Sequence, residues 1–225
     1  AGFSRALPTL MGPDTTVVTL QNGMGNAEEI ARIIPADRIY VGLCFICAMR
    51  EKPGHVNHLE GGNIQFAPFI PTPEGTEKAR ELSELFANAG IKTRAFDAAE
   101  QIQWYKLVWN IPFNGLCLAL GGISIAELYQ NPENVMRARR IMEEVVQAAK
   151  ARGYALPEDL VEFHLSRTET MGAFIPSSAV DYNEGRPVEY TAIWGDPLSK
   201  ARQAGASVPE WELLDKAIRK RLNIN

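Results

Sequence analysis

Residues 103–122, QWYKLVWNIPFNGLCLALGG, form one of the most apolar stretches of the chain, and they constrain its fold more than any other segment. A run of this length and texture reads as a long apolar helix. Lys106, Asn110 and Asn114 interrupt it at four-residue steps. Each step advances a helix by about 400°, so the three side chains drift only about 40° apiece and share one face. An ammonium and two carboxamides on such a helix need hydrogen-bond partners, either within the protein or on a ligand. A polar packing ladder between helices and a row facing a small, oxygen-rich ligand both satisfy this pattern. Pro112, inside the run, removes one backbone donor and predicts a kink near Asn110.

Around this helix the texture divides. Before it, TVVTL (16–20), residues 38–49 and residues 92–96 read as strands. A helical pattern follows QNGMGN, and an amphipathic helix spans 73–90. Two further strands, 55–59 and 63–68, read as a hairpin around Gly61-Gly62. After residue 97 the signals are helical: 98–120, a short turn at 125–129, then 133–153, 160–171, 188–204 and 209–222. The expected fold class is therefore α/β followed by all-α, with domains at 1–97 and 98–225.

Composition narrows the function classes. A net charge of −4 over 225 residues leaves no basic footprint for nucleic acid. No apolar run reaches the roughly 20 residues of a membrane span. Three cysteines argue against a disulfide framework and for a reducing, cytoplasmic setting. Cys44 and Cys47 with His55 and His58 have zinc-like spacing, but cysteines three apart on a strand point to opposite faces, so no metal site is expected. The front, AGFSRALPTLMGPD, reads as the tail of a helix stopped by Gly12 and Pro13, and the chain is expected to begin inside its first domain.

Two more segments carry candidate chemistry. Asn22-Gly23-Met24-Gly25 follows a strand and opens a helix, where free N–H groups and the helix dipole favour an anion or the polar edge of a cofactor. A tight turn needing two glycines explains the same residues. It is not a complete G-x-G-x-x-G fingerprint, because Glu28 stands at the third position. In PSSAVDYNEGRPVEY, Ser177 heads a helical turn after Pro176 and Glu189 lies twelve residues on. Taken singly, Ser177 reads as an N-cap and Glu189 as a solvated carboxylate.

Taken in order, NGMGN after a strand, the Gly-His-Val-x-His segment at 54–58, K-x-x-x-N-x-x-x-N on a helix and PSSAVD…GRPVEY resemble the ketopantoate reductase (2-dehydropantoate 2-reductase) family over essentially the whole chain. The resemblance implies a Rossmann-type NADP-binding domain paired with a helical C-terminal domain, and a site in the cleft between them. It implies reduction of the 2-dehydropantoate ketone to (R)-pantoate with NADPH, on the way to pantothenate and coenzyme A. By position, Lys106 matches the catalytic lysine and Glu189 the carboxylate that binds substrate and orients it. Asn110, Asn114 and Ser177 match substrate-binding residues. Asn22, with Gly23 and Gly25, matches the cofactor-side turn at the nicotinamide end. The first βαβ units and the family's fingerprint are absent from these residues, so residues 1–97 are expected to be only part of that domain. A non-catalytic binding module of the same fold, or a reductase of another 2-keto acid, remains the alternative. The amphipathic helices allow a homodimer interface or an internal core equally.

Overall fold

The computed structural model describes residues 2–224, and for Met49, Arg50, Leu59 and Glu60 the backbone alone. It divides into two compact units, Ala1–Gln103 and Trp104–Asn225. The sequence-based boundary at 97 falls just before the helix Ala99–Ala119, whose first turn belongs to the first unit.

The first unit contains α1 (Phe3–Leu10), β1 (Val17–Thr19), α2 (Asn26–Ala31), β2 (Ile39–Lys52), β3 (His55–Pro68), α3 (Pro73–Asn88) and β4 (Lys92–Ala95). The sheet order is β1-β2-β3-β4; β2 and β3 are antiparallel and both outer pairings parallel. Alternation along β2 gives each face its own core. Ile39, Val41 and Leu43 pack with Ala27 and Ile30 of α2, and with Ala99 and Ile102. Tyr40 and Phe66 face Ala79, Leu82 and Phe86 of α3, with the Phe66 and Phe86 rings 5.0 Å apart. Helices thus cover both faces, the layering the sequence pattern implies. Thr72 caps α3 by accepting a hydrogen bond from Gly75 N at 3.0 Å, and Pro73 follows in the first turn, where its missing N–H costs nothing.

The hairpin expected around Gly61-Gly62 lies elsewhere. Residues 55–68 are a single strand, and the hairpin turn is Pro53-Gly54, between β2 and β3. Gly61 and Gly62 form a bulge: Phe45 pairs with Asn63 and Ile46 with Gly61, leaving Gly62 over. Both have positive φ, +81° and +114°, and a Cβ on Gly61 would run into the Phe45 carbonyl. A Gly-Gly pair marks a bulge as readily as a turn, and sequence spacing did not separate them.

The second unit is all-helical. It is built on α4 (Ala99–Ala119), with α5 (Ile125–Tyr129), α6 (Pro132–Ala151), α7 (Leu160–Glu169), α8 (Ser177–Asn183), a π turn (Thr191–Gly195), α9 (Asp196–Gln203) and α10 (Pro209–Leu222). α4 continues through Pro112 as one helix. The expected turn at 125–129 is a helix with a complete capping box, Ser124 with Glu127. The expected helix 188–204 divides into the π turn and α9, because Pro197 has no N–H to return to the Ile193 carbonyl.

Large aromatics fill the core: Trp104 lies edge-on to Trp211 at 6.5 Å, and Phe113 stacks on Tyr129 at 6.3 Å. Gly115 lets the π turn and α10 approach α4. A Cβ there would stand 2.9 Å from Trp194 Nε1 and 2.7 Å from Leu214. Arg221 of α10 donates to the Ala119 carbonyl at the end of α4 (2.9 Å). Glu144 of α6, buried, accepts from the backbone N–H groups of Glu210 (2.9 Å) and Trp211 (2.8 Å) and so caps α10. Burial pushes its carboxyl upward while those two bonds pull the other way. Glu144→Ala is expected to lower the free energy of unfolding by about 2–3 kcal/mol, because it strands buried donors. Urea denaturation measures this, and a loss below about 0.5 kcal/mol would contradict the capping role.

Candidate functional site

The three ladder residues differ in their surroundings. Lys106 is half-buried. Asn110 is 6% exposed and Asn114 2%, among Leu107, Val108, Ile111 and Phe113, which are fully buried. Asn114 is satisfied from within: its Oδ1 accepts from Ser178 N at 3.1 Å, with Ser177 Oγ at 3.5 Å. Pro176, at the N-cap of α8, supplies no capping side chain, so Asn114 does this from a neighbouring helix. The far end of α8 is tied as well, Asn183 Nδ2 donating to the Gly122 carbonyl at 2.8 Å. Asn114 therefore has a structural task, with its amide N–H groups left for a second partner.

Asn110 has none of this. Among the described residues its carboxamide makes no hydrogen bond. Among the described residues the side chains whose unpaired polar atoms are sealed from solvent are Gln65, His164 and Trp211, and Asn110 is not one of them. A carboxamide so deeply set, unpaired yet reachable, is what a ligand-binding position requires.

Neighbouring helices fix the orientation of α4 at this level. Trp109 Nε1 donates to Thr168 Oγ1 (2.8 Å), which donates to the His164 carbonyl (2.6 Å), locking α4 to α7. The His164 ring packs edge-on to Tyr105 at 6.0 Å, one residue before Lys106. Trp109 also meets Phe174, three residues before Ser177, at 6.4 Å. Ser177 itself is exposed.

Glu189 is exposed and lies just before the π turn, its carbonyl accepting from Ile193 N at 3.2 Å. Its segment is fastened on two sides. Tyr190 OH donates to Asp215 Oδ1 (2.6 Å) on α10, and Trp194 Nε1 donates to the Ile111 carbonyl (3.1 Å) on α4. Sequence reasoning singled out Glu189 but missed Tyr190, Trp194 and Asp215. The available signal was the Asp215–Arg219 pair at i,i+4.

In the first unit, Asn22, Gly23 and Gly25 form the turn between β1 and α2, with φ of +78° at Gly23 and +90° at Gly25. Its carbonyls are engaged: Asn22 O accepts from Asn26 Nδ2 (3.1 Å) and Gly23 O from Gln103 Nε2 (3.0 Å). Met24 is buried beneath it. Two side-chain hydrogen bonds thus tie the turn, with bare backbone at its two glycines. Among the described residues no group of three or more His, Cys, Asp or Glu could hold a metal ion, and no helix is long and apolar enough to cross a membrane.

A mixed sheet covered by helices, followed by an all-helical unit with a lysine–asparagine ladder on its central helix, defines a two-part α/β and all-α protein. The family models for "Ketopantoate reductase PanE/ApbA" and its C terminal match residues 4–71 and 98–221. The chain belongs to the ketopantoate reductase family. A 2-dehydropantoate 2-reductase of Nostoc sp. is 35% identical over 92% of this chain and 65% of its own length. One from Halobacterium salinarum is 28% identical over 90% of this chain and 66% of its own. The crystal structure of a Geobacter metallireducens 2-dehydropantoate 2-reductase superposes with a TM-score of 0.91 at 36% identity, covering 97% of this chain and 72% of that one. The chain therefore spans about two thirds of the length of the curated relatives it matches.

Burial, with Arg167 nearby, pushes the His164 imidazole down to about 4. The unfolded chain takes up this proton near its ordinary value of about 6.5 while the folded chain does not. Stability should therefore fall as pH drops from about 6.5 towards 4, by at most about 1.4 kcal/mol per pH unit from this group. Urea unfolding at several pH values tests this. His164→Gln should flatten the acid slope, and an unchanged slope would show that His164 does not cause it.

Proposed function

We propose that the protein reduces the ketone of 2-dehydropantoate to (R)-pantoate, with NADPH as the hydride source. Asn110 is the observation that carries this reading: a buried carboxamide with no protein partner among the described residues, standing between Lys106 and Asn114 on one helix face. A pure packing ladder explains Asn114 but gives Asn110 no partner among the described residues. Family membership and the 2-dehydropantoate 2-reductases among its relatives supply the substrate class.

NADPH, when bound, supplies the hydride. The Asn22–Gly25 turn fits the nicotinamide end of such a cofactor, since its positive-φ glycines let backbone approach a flat polar group without an intervening side chain. The G-x-G-x-x-G segment that would cradle a pyrophosphate does not occur in these 225 residues, and no residue is assigned to that group.

Lys106 is the electrophile. Its ammonium donates to the ketone oxygen, stabilises the negative charge that grows there as the carbon becomes tetrahedral, and then gives that oxygen its proton. The neutral amine recovers a proton from solvent. Glu189 orients the lysine and binds substrate. Asn110 and the free amide of Asn114 hold the substrate's hydroxyl and polar groups, and Ser177 contacts its carboxylate. These interactions fix the ketone against Lys106 and so remove much of the orientational part of the barrier.

The test is NADPH oxidation by the whole protein with 2-dehydropantoate and with other 2-keto acids. The branched substrate should have the highest kcat/KM, and no consumption with any of them would sink the reading. Lys106→Ala should lower kcat about a hundredfold or more while KM moves less than about threefold. Ser177→Ala should do the reverse, raising KM about tenfold with kcat kept, because its hydroxyl is exposed and only loosely engaged at 3.5 Å. An unaltered KM would remove Ser177 from the carboxylate contact.

A further inference from the structure

Asp215 is 7% exposed, and its two oxygens have separate partners. Tyr190 OH donates to Oδ1 at 2.6 Å, and Arg219 Nε, one turn along α10, donates to Oδ2 at 3.2 Å. The Arg219 guanidinium also lies 5.2 Å over the Tyr190 ring, whose other neighbour is the Trp194 indole, stacked at 6.3 Å. Trp194 in turn donates to the Ile111 carbonyl, the residue after Asn110. The Glu189 backbone therefore stands at the head of a wide turn with polar ties to α10 and to α4.

A buried carboxylate is a costly way to tie the segment before the π turn to α10. Apolar side chains of the same volume pack as well or better, and what a network adds is a single geometry. The geometry fixed here is that of residues 189–194. The Glu189 side chain is exposed, and the direction in which it leaves the backbone follows from how residues 189–194 are held. Holding the ring and hydroxyl of Tyr190 sets the backbone one residue away, and with it the direction of the Glu189 Cα–Cβ bond.

We propose that Tyr190 and Asp215 are positioning residues for Glu189, an inference that rests on the reading of Glu189 given above. Their service is to α4 at one remove: Tyr190 and Asp215 fix the segment on α10, Trp194 fixes it on α4, and the Glu189 carboxylate is delivered in one orientation. Burial and Asp215 push the Tyr190 phenol up to about 12, so its O–H remains a donor across neutral pH. Removing that hydroxyl leaves Asp215 its bond to Arg219, so the buried carboxylate keeps a counter-charge and the fold survives.

A double-mutant cycle on the whole protein, with NADPH and 2-dehydropantoate, tests this. Tyr190→Phe should lower kcat about tenfold, with KM within about twofold. In a Glu189→Gln background the same change should alter kcat by less than about twofold, because nothing remains to be positioned. Asp215→Asn, which keeps an acceptor for the phenol, should retain more activity than Asp215→Ala. If Tyr190→Phe and Glu189→Gln multiply independently, the network is merely structural and the proposal is overturned. It is overturned equally if Glu189→Gln slows the reaction and Tyr190→Phe does not. If Glu189→Gln itself leaves kcat unchanged, the role given to Glu189 fails and the positioning role fails with it.

Discussion

Burying α4 imposes the constraint on which the second unit depends: every polar group it carries inward must be paired by a neighbouring helix or by something the protein binds. The neighbours are arranged as answers to that demand. α8 presents its N-terminus to the Asn114 oxygen, α7 presents Thr168 to the Trp109 indole, and the π turn sends the Trp194 indole to the Ile111 carbonyl. Each tie fixes a segment that holds a candidate site residue or a neighbour of one. Asn110 is left out of this pairing, and the functional reading grows from that omission.

The same ties explain how the helical unit holds its polar groups in one arrangement. Gly115 admits the Trp194 indole against α4, where any larger residue would force the π turn away. Glu144, distant from the ladder in sequence, secures the start of α10, and α10 bears the Asp215 that holds Tyr190. Packing and site geometry are thus linked through hydrogen bonds to backbone groups, which set direction as well as proximity.

Much of this was legible in the sequence, and the failures have definite physical causes. The four-residue spacing of Lys106, Asn110 and Asn114 survives as one helix face because a helix has no other way to repeat. Asn131-Pro132 and Thr72-Pro73 mark helix starts as their chemistry requires. Gly61-Gly62 misled because positive φ serves a bulge and a turn alike. The π turn was hidden because Pro197 interrupts an otherwise helical run without stating how the chain will absorb it. Asn114 as the cap of a different helix was beyond reach, since a contact across 64 positions leaves no periodic trace. The ties of Tyr190 and Trp194 were invisible for the same reason.

If the ladder faces a ketone with Lys106 on its oxygen, a crystal structure of the protein with NADP and pantoate will display it directly. The Lys106 ammonium should lie within about 3 Å of the hydroxyl oxygen that derives from the ketone, with the Asn110 carboxamide bonded to the same molecule. Pantoate bound with Lys106 well beyond hydrogen-bond reach, and with the Asn110 carboxamide still unpaired, would contradict both assignments.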